Sequence, residues 1–186
     1  MFKKNMLVLV FCVLMLAWRQ SAAEETVLYD FEGAAALALP VRMQDYVYGK
    51  MELVAGKVGN TALKVTFLPS EKAKGSRYFD FLTHKEPRLD PRQWAEKKYR
   101  VVRFWLKGDG SENFIDLVAS HWDSELKKDT VYRRLAHVSL EEPEWIQVTV
   151  PLDKFYGELS QANNLYFASP QNFEGFSFEL DHFTAE

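Results

Sequence analysis

Between Trp145 and Phe155 the chain reads Trp-Ile-Gln-Val-Thr-Val-Pro-Leu-Asp-Lys-Phe, with Ile146, Val148 and Val150 at every second position and Gln147 and Thr149 between them. That period puts three aliphatic side chains on one face of a strand and the polar pair on the other. Pro151, which has no N–H to give to a ladder, closes the strand. The period returns from Tyr99 to Lys107, where Val102, Phe104 and Leu106 alternate with Val101, Arg103, Trp105 and Lys107. Gly108-Asp109-Gly110-Ser111 then supplies turn chemistry. Both segments are expected to be strands of antiparallel sheets, with Val102, Phe104, Leu106, Ile146, Val148 and Val150 directed into one core.

Short strands of the same kind are predicted at Val27–Phe31, Tyr46–Val54, Thr61–Phe67, Ser76–Leu82, Phe114–His121, Thr130–Leu140 and Gly175–Phe183. In Ser76–Leu82, Tyr78 and Asp80 take one face and Phe79 and Phe81 the other. Ala34–Ala38 reads as a single helical turn, and Asp123–Asp129 as a charged hairpin tip. Thr83–Lys98 is polar, contains Pro87 and Pro91, and reads as a long surface loop. There is no internal repeat and no second zone of composition. Many short strands at this spacing predict an all-β protein, a jelly-roll β-sandwich of two antiparallel sheets.

The first 23 residues follow a different logic. Lys3 and Lys4 precede an apolar run, Met6–Ala17, and Ser21-Ala22-Ala23 offers small residues for cleavage. The run falls short of the roughly 20 residues that span a bilayer. Residues 1–23 are therefore expected to be a signal peptide, and residues 24–186 an exported domain, periplasmic or secreted. Removing Lys3, Lys4 and Arg19, with no acids among them, takes the net charge from −3 to −6. A mildly acidic domain has no electrostatic claim on nucleic acid, nor on a membrane once the signal is cleaved. The one cysteine, Cys12, leaves with the signal, so disulfides play no part in the mature fold.

Several segments together carry a resemblance: Leu28-Tyr29-Asp30-Phe31-Glu32-Gly33, Leu63-Lys64-Val65, Phe104-Trp105-Leu106-Lys107-Gly108-Asp109-Gly110, Trp145–Phe155 and Leu180-Asp181-His182-Phe183, in that order. In order and spacing the chain resembles a carbohydrate-binding module of the galactose-binding-domain-like jelly-roll class, in particular those of family eleven. The tryptophan-to-proline strand also occurs in proteins resembling the complex I intermediate-associated type. The resemblance implies a site on a concave sheet face, with Tyr, Asp and Arg along it, and a structural Ca²⁺ where the first and last strands meet.

No nucleophile elbow, HExxH or glycine-rich phosphate loop is present, and the histidines at 84, 121, 137 and 182 are scattered singly. A non-catalytic role is expected. Sugars present apolar C–H patches and a rim of hydroxyls, so a binding platform needs aromatic rings beside directional polar groups. Alternation groups Tyr132 with Arg134, Asp116 with Ser120, and Tyr78 with Asp80, and these residues are the candidate ligand-binding set; Tyr46 and Tyr48 are further candidates. The alternative has Tyr78 and Tyr132 capping the core while Arg134 pairs with Asp116. Trp105 and Trp145 are expected in the core, and Trp94 and Trp122 at exposed loop ends. For calcium, the resemblance points to Asp30 and Glu32, which are expected to share a strand face opposite Tyr29 and Phe31, and to Asp181, with carbonyls of the Gly56–Asn60 turn completing the shell; the other reading of these acids is a solvated edge. The expected partner is a polysaccharide or oligosaccharide. The rival reading is an envelope or surface assembly protein that uses the same sandwich for protein contacts.

Overall fold

The computed structural model describes residues 25–32, 41–43, 49–69, 77–81, 83, 85–169 and 175–186, with side chains at all of these except 41–43, 77 and 78. The expected signal peptide, the expected helical turn at Ala34–Ala38, Tyr46, Tyr48 and His84 lie outside the described residues. The strands are β1 (Thr26–Tyr29), β2 (Val41–Met43), β3 (Gly49–Ala55), β4 (Thr61–Phe67), β5 (Arg77–Phe81) and β6 (Val101–Lys107). They continue as β7 (Phe114–Asp123), β8 (Lys128–Ser139), β9 (Trp145–Pro151), β10 (Asn164–Ser169) and β11 (Phe176–Ala185). Two short helices, α1 (Pro91–Glu96) and α2 (Tyr156–Leu159), interrupt them. No helix among the described residues is long and apolar enough to cross a membrane.

The strands form two antiparallel sheets. The first runs β3-β4-β11-β6-β9, with β1 also paired to β11; the second runs β2-β5-β10-β7-β8. The two strongest sequence patterns lie side by side, with Phe104 opposite Val148 and Leu106 opposite Ile146. Val102, Phe104, Leu106 and Val150 are buried, and Ile146 and Val148 pack on the core from a partly exposed edge. Between the sheets lies a phenylalanine-rich interior: Phe104 and Phe183 stack at 4.8 Å, as do Phe79 and Phe167 at 5.4 Å. Each such ring taken out of water contributes on the order of 1.5–3 kcal/mol.

Several sequence expectations change here. Strand β10 was not anticipated, because Leu165-Tyr166-Phe167-Ala168 is an unbroken apolar run and shows no alternation. In space the alternation is strict: Leu165, Phe167 and Ser169 are buried, and Asn164, Tyr166 and Ala168 are only partly so. The Thr83–Lys98 segment is not all loop, since Asp90 caps α1 by accepting the Arg92 amide at 2.9 Å. That helix drives Trp94 into the core, fully buried, with Nε1 donating to the Arg88 carbonyl at 2.7 Å. Trp105 and Trp145 reverse the other way: both sit only partly buried on the outer side of the first sheet, and the Lys57 ammonium lies over the Trp105 ring at 5.3 Å.

Candidate functional site

The outward face of the second sheet is read from its registers. Residues that pair across neighbouring strands of a sheet point to the same side. Asp80 pairs with Tyr166, Tyr166 with Val118, and Val118 with Arg134, which makes one row across four strands. The adjacent row holds Tyr78, Ala168, Asp116 and His137 in register, and the row on the other side holds Asn164, Ser120 and Tyr132. Phe79, Phe81, Leu117 and Ala119 alternate with these positions and fill the core. Four of the candidate binding residues, Asp80, Asp116, Tyr132 and Arg134, therefore occupy adjacent rows on one side of one sheet. Position 78 is placed by its backbone register.

A β-bulge decides part of this grouping. The pairing of β7 with β8 shifts between Leu117 and Val118, so Ala136 faces Leu117 while Arg134 faces Val118, and Leu135 is the extra residue. The extra residue inverts the alternation along β8. Arg134 and His137, three apart in sequence, thus share the outward side. His137 Nδ1 lies 2.6 Å from Asp116 Oδ1, and Arg134 contributes an ion pair at 3.6 Å to Asp116 Oδ2. The carboxylate is held between a guanidinium and an imidazole, while the ring of Phe114 sits 4.4 Å from the imidazole.

The aromatic residues differ in exposure. Tyr132 is 58% exposed and does not cap the core, although the Arg134–Asp116 pairing of the alternative reading does form. Desolvation and, after it, the Asp116 charge raise the Tyr132 phenol above its ordinary pKa. Tyr166, which sequence reasoning missed along with its strand, stands mid-face and is the more enclosed ring. Burial pushes its phenol far up, Asp129, Tyr132 and Asp80 add to the effect, and a hydrogen bond with Ser120 opposes it. The face thus combines two phenol rings with fixed carboxylates, a guanidinium and an imidazole, the combination that a hydroxylated ring ligand requires.

The residues expected to hold calcium are engaged with backbone amides. Strand β1 ends at Tyr29, and Phe31 adopts φ 59°, so Asp30 and Glu32 do not continue an alternating strand face as expected. Asp30 Oδ1 accepts the Glu32 amide at 3.0 Å. Glu32 Oε1 accepts the amides of Asn60 and Thr61, the latter at 2.7 Å, and these two bonds lower its pKa. Asp181, fully buried, takes the amides of Lys57 and Val58 on Oδ2 at 2.7 and 2.8 Å, and burial raises its pKa against their pull. Gly59 sits in this turn at φ 75°, a left-handed conformation that glycine adopts without strain. Calcium takes six to eight oxygens, whereas the Gly56–Asn60 turn offers these carboxylates N–H groups. Of these three carboxylates, Asp181 has one oxygen, Oδ1, buried without a hydrogen-bond partner among the described residues. No three His, Cys, Asp or Glu side chains among the described residues are grouped to hold a metal, so this arrangement does not fit a calcium shell.

No protein-family model matches the chain, and no curated protein sequence matches it. Solved structures do. A family 11 carbohydrate-binding module from Clostridium thermocellum, solved in complex with a beta-1,3-1,4-mixed-linked tetrasaccharide, is similar over 89% of this chain and 96% of its own, at 17% identity and a TM-score of 0.62. The family 11 module of a cellulosomal cellulase from the same organism is similar over 89% of this chain and 95% of its own, at 16% identity and a TM-score of 0.61. An exo-beta-agarase is similar over 87% of this chain but 24% of its own length, at 12% identity and a TM-score of 0.59. The chain has the jelly-roll β-sandwich fold that these modules share. At these identities the likeness establishes fold.

Proposed function

We propose that this protein is an exported, non-catalytic carbohydrate-binding module that holds a polysaccharide on the outward, concave side of its second sheet. The observation that carries the reading is the convergence of Asp80, Asp116, Tyr132, Arg134, Tyr166 and His137 on adjacent rows of that sheet. A pyranose lies flat on the Tyr132 ring while carboxylate, guanidinium and imidazole take its hydroxyls. Stacking on one tyrosine is worth on the order of 1 kcal/mol, by analogy with aromatic pairs. Several such contacts are needed for useful affinity, so binding strengthens with the length of the sugar chain.

The test is affinity electrophoresis of the full chain through gels containing mixed-linked β-glucan, xylan or agarose. Retardation in one of these gels, removed by Tyr132→Ala, supports the reading. Unretarded migration in all of them, with no binding on a glycan array, turns the assignment toward an assembly protein that uses the same face for protein contacts. Export rests on residues 1–23, and N-terminal sequencing of material from the periplasm or medium should begin at Glu24. Recovery of Met1 there would identify a retained anchor.

A further inference from the structure

Strand β10 ends where the most exposed aromatic groups begin. Its first residue, Asn164, pairs with Ser120, and the Asn163 amide donates to the Ser120 carbonyl at 2.8 Å. Beyond Ser120, strands β7 and β8 continue as a two-stranded ribbon through His121, Trp122 and Asp123, paired with Val131, Asp129 and Lys128. Five large hydrophobic side chains are exposed among the described residues, and three belong to this hairpin: Trp122 at 50%, Leu126 at 58% and Tyr132 at 58%. A second register shift, between His121 and Trp122, leaves Thr130 as the extra residue of β8. Trp122, two residues on from Ser120, therefore stands on the same side as Tyr132, one pleat repeat of about 7 Å further along the strand. Asp129 pairs across from it.

A half-exposed indole on a ribbon is a standing cost to a free protein, since each Å² of apolar surface left in water forgoes about 25 cal/mol. The core does not need this ring. What the ring provides is a second flat apolar surface in line with Tyr132, whose cross-strand partner is Ser120, and here the residue opposite is a carboxylate, Asp129.

We propose that Trp122 forms a further sugar subsite on the ribbon, and that the polysaccharide lies along β7 and β8, crossing from the Asp116 row over Tyr132 to Trp122. This inference rests on the reading of the second sheet as the binding face. It adds that the site takes an internal stretch of a linear chain and that the ribbon rewards length.

The experiment is calorimetric titration of the full chain with mixed-linked β-glucan oligosaccharides of increasing length and with the polymer, for wild type, Trp122→Ala, Trp122→Phe and Tyr132→Ala. Trp122→Ala should weaken binding of the polymer and the longest oligosaccharides about tenfold, the scale of one stacked ring. It should leave short oligosaccharides unchanged, and Trp122→Phe should restore part of the loss. Tyr132→Ala should weaken binding at every length. If Trp122→Ala binds every length like wild type while Tyr132→Ala is impaired, the ribbon subsite is wrong and the sheet-face reading stands. If wild type binds no glycan, both fall. A wild-type dimer in sedimentation that dissociates with Trp122→Ala would place the ring between two copies of this chain and overturn the subsite.

Discussion

Asp181 and Lys57 are 124 positions apart in the chain, and the Lys57 amide donates to Asp181 Oδ2 at 2.7 Å. With Val58 on the same oxygen and Asn60 and Thr61 on Glu32, four backbone donors in and at the end of the β3–β4 turn are tied to the segment that follows β1 and to the middle of β11. The turn is clamped by carboxylates in the region where the resemblance implied calcium.

Asp181→Ala should therefore lower stability by about 3 kcal/mol, from two charge-assisted hydrogen bonds at about 1.5 kcal/mol each. Urea unfolding of wild type should give the same midpoint in EDTA as in excess calcium. A midpoint that rises with calcium would show that the turn amides swing away to admit the ion.

Tyr132→Ala should unfold at the wild-type temperature within about 0.5 kcal/mol of stability, because the ring is mostly in solvent. Its affinity for the polysaccharide should fall by about tenfold, one stacked ring in size. Circular dichroism melts and binding assays on the same preparation separate the two effects, and a collapsed fold would return the ring to a core role.

Phe104→Ala should be among the most damaging substitutions. Phe104 stacks on Phe183 at 4.8 Å and meets Phe167 edge-on at 5.6 Å, so truncation opens a cavity between the sheets. The expected loss is about 3–5 kcal/mol in denaturant titration. A loss below about 1 kcal/mol would mean that the neighbouring rings close the gap.

Acid should loosen α2 from β8. Arg133 pairs with Glu158, and its guanidinium lies 5.1 Å from the Phe155 ring. The hydrogen bond from Arg133 is the main cause that lowers the Glu158 pKa. A depressed carboxyl contributes stability above the ordinary glutamate value, and that contribution is lost as pH falls through the depressed one. Glu158→Gln should be less stable than wild type at neutral pH, and the gap should close on acidification. Melting curves from neutral pH to below the usual glutamate range read this out directly, and a gap that persists at the acid end would show that the pairing carries no linkage.

Local pattern was enough for the class of fold. Val102, Phe104 and Leu106, with Ile146, Val148 and Val150, announce period-two strands because side chains alternate along extended backbone whatever surrounds them. The same alternation paired Tyr132 with Arg134 and Asp116 with Ser120 correctly, since each pair lies on one strand. Trp122 was also rightly expected to be exposed.

Tertiary structure decided what joins one strand to another. Tyr166 was hidden in an apolar run, and only the neighbours β5 and β7 show that its ring leaves the core while Leu165 and Phe167 enter it. His137 joined Asp116 because one extra residue at Leu135 inverts the alternation of β8, and a bulge leaves no mark on hydrophobic period. Trp94 is buried because a capped helix folds it inward, against the expectation from its place near a loop end. Asp30 and Glu32 read as a shared strand face until the positive φ of Phe31 turned Glu32 to the β3–β4 turn. Sequence by itself determined which residues alternate within each strand, because that depends on backbone geometry alone. Register, bulges and the partners of buried carboxylates depend on segments up to 124 positions apart, and only the packed sheets bring those together.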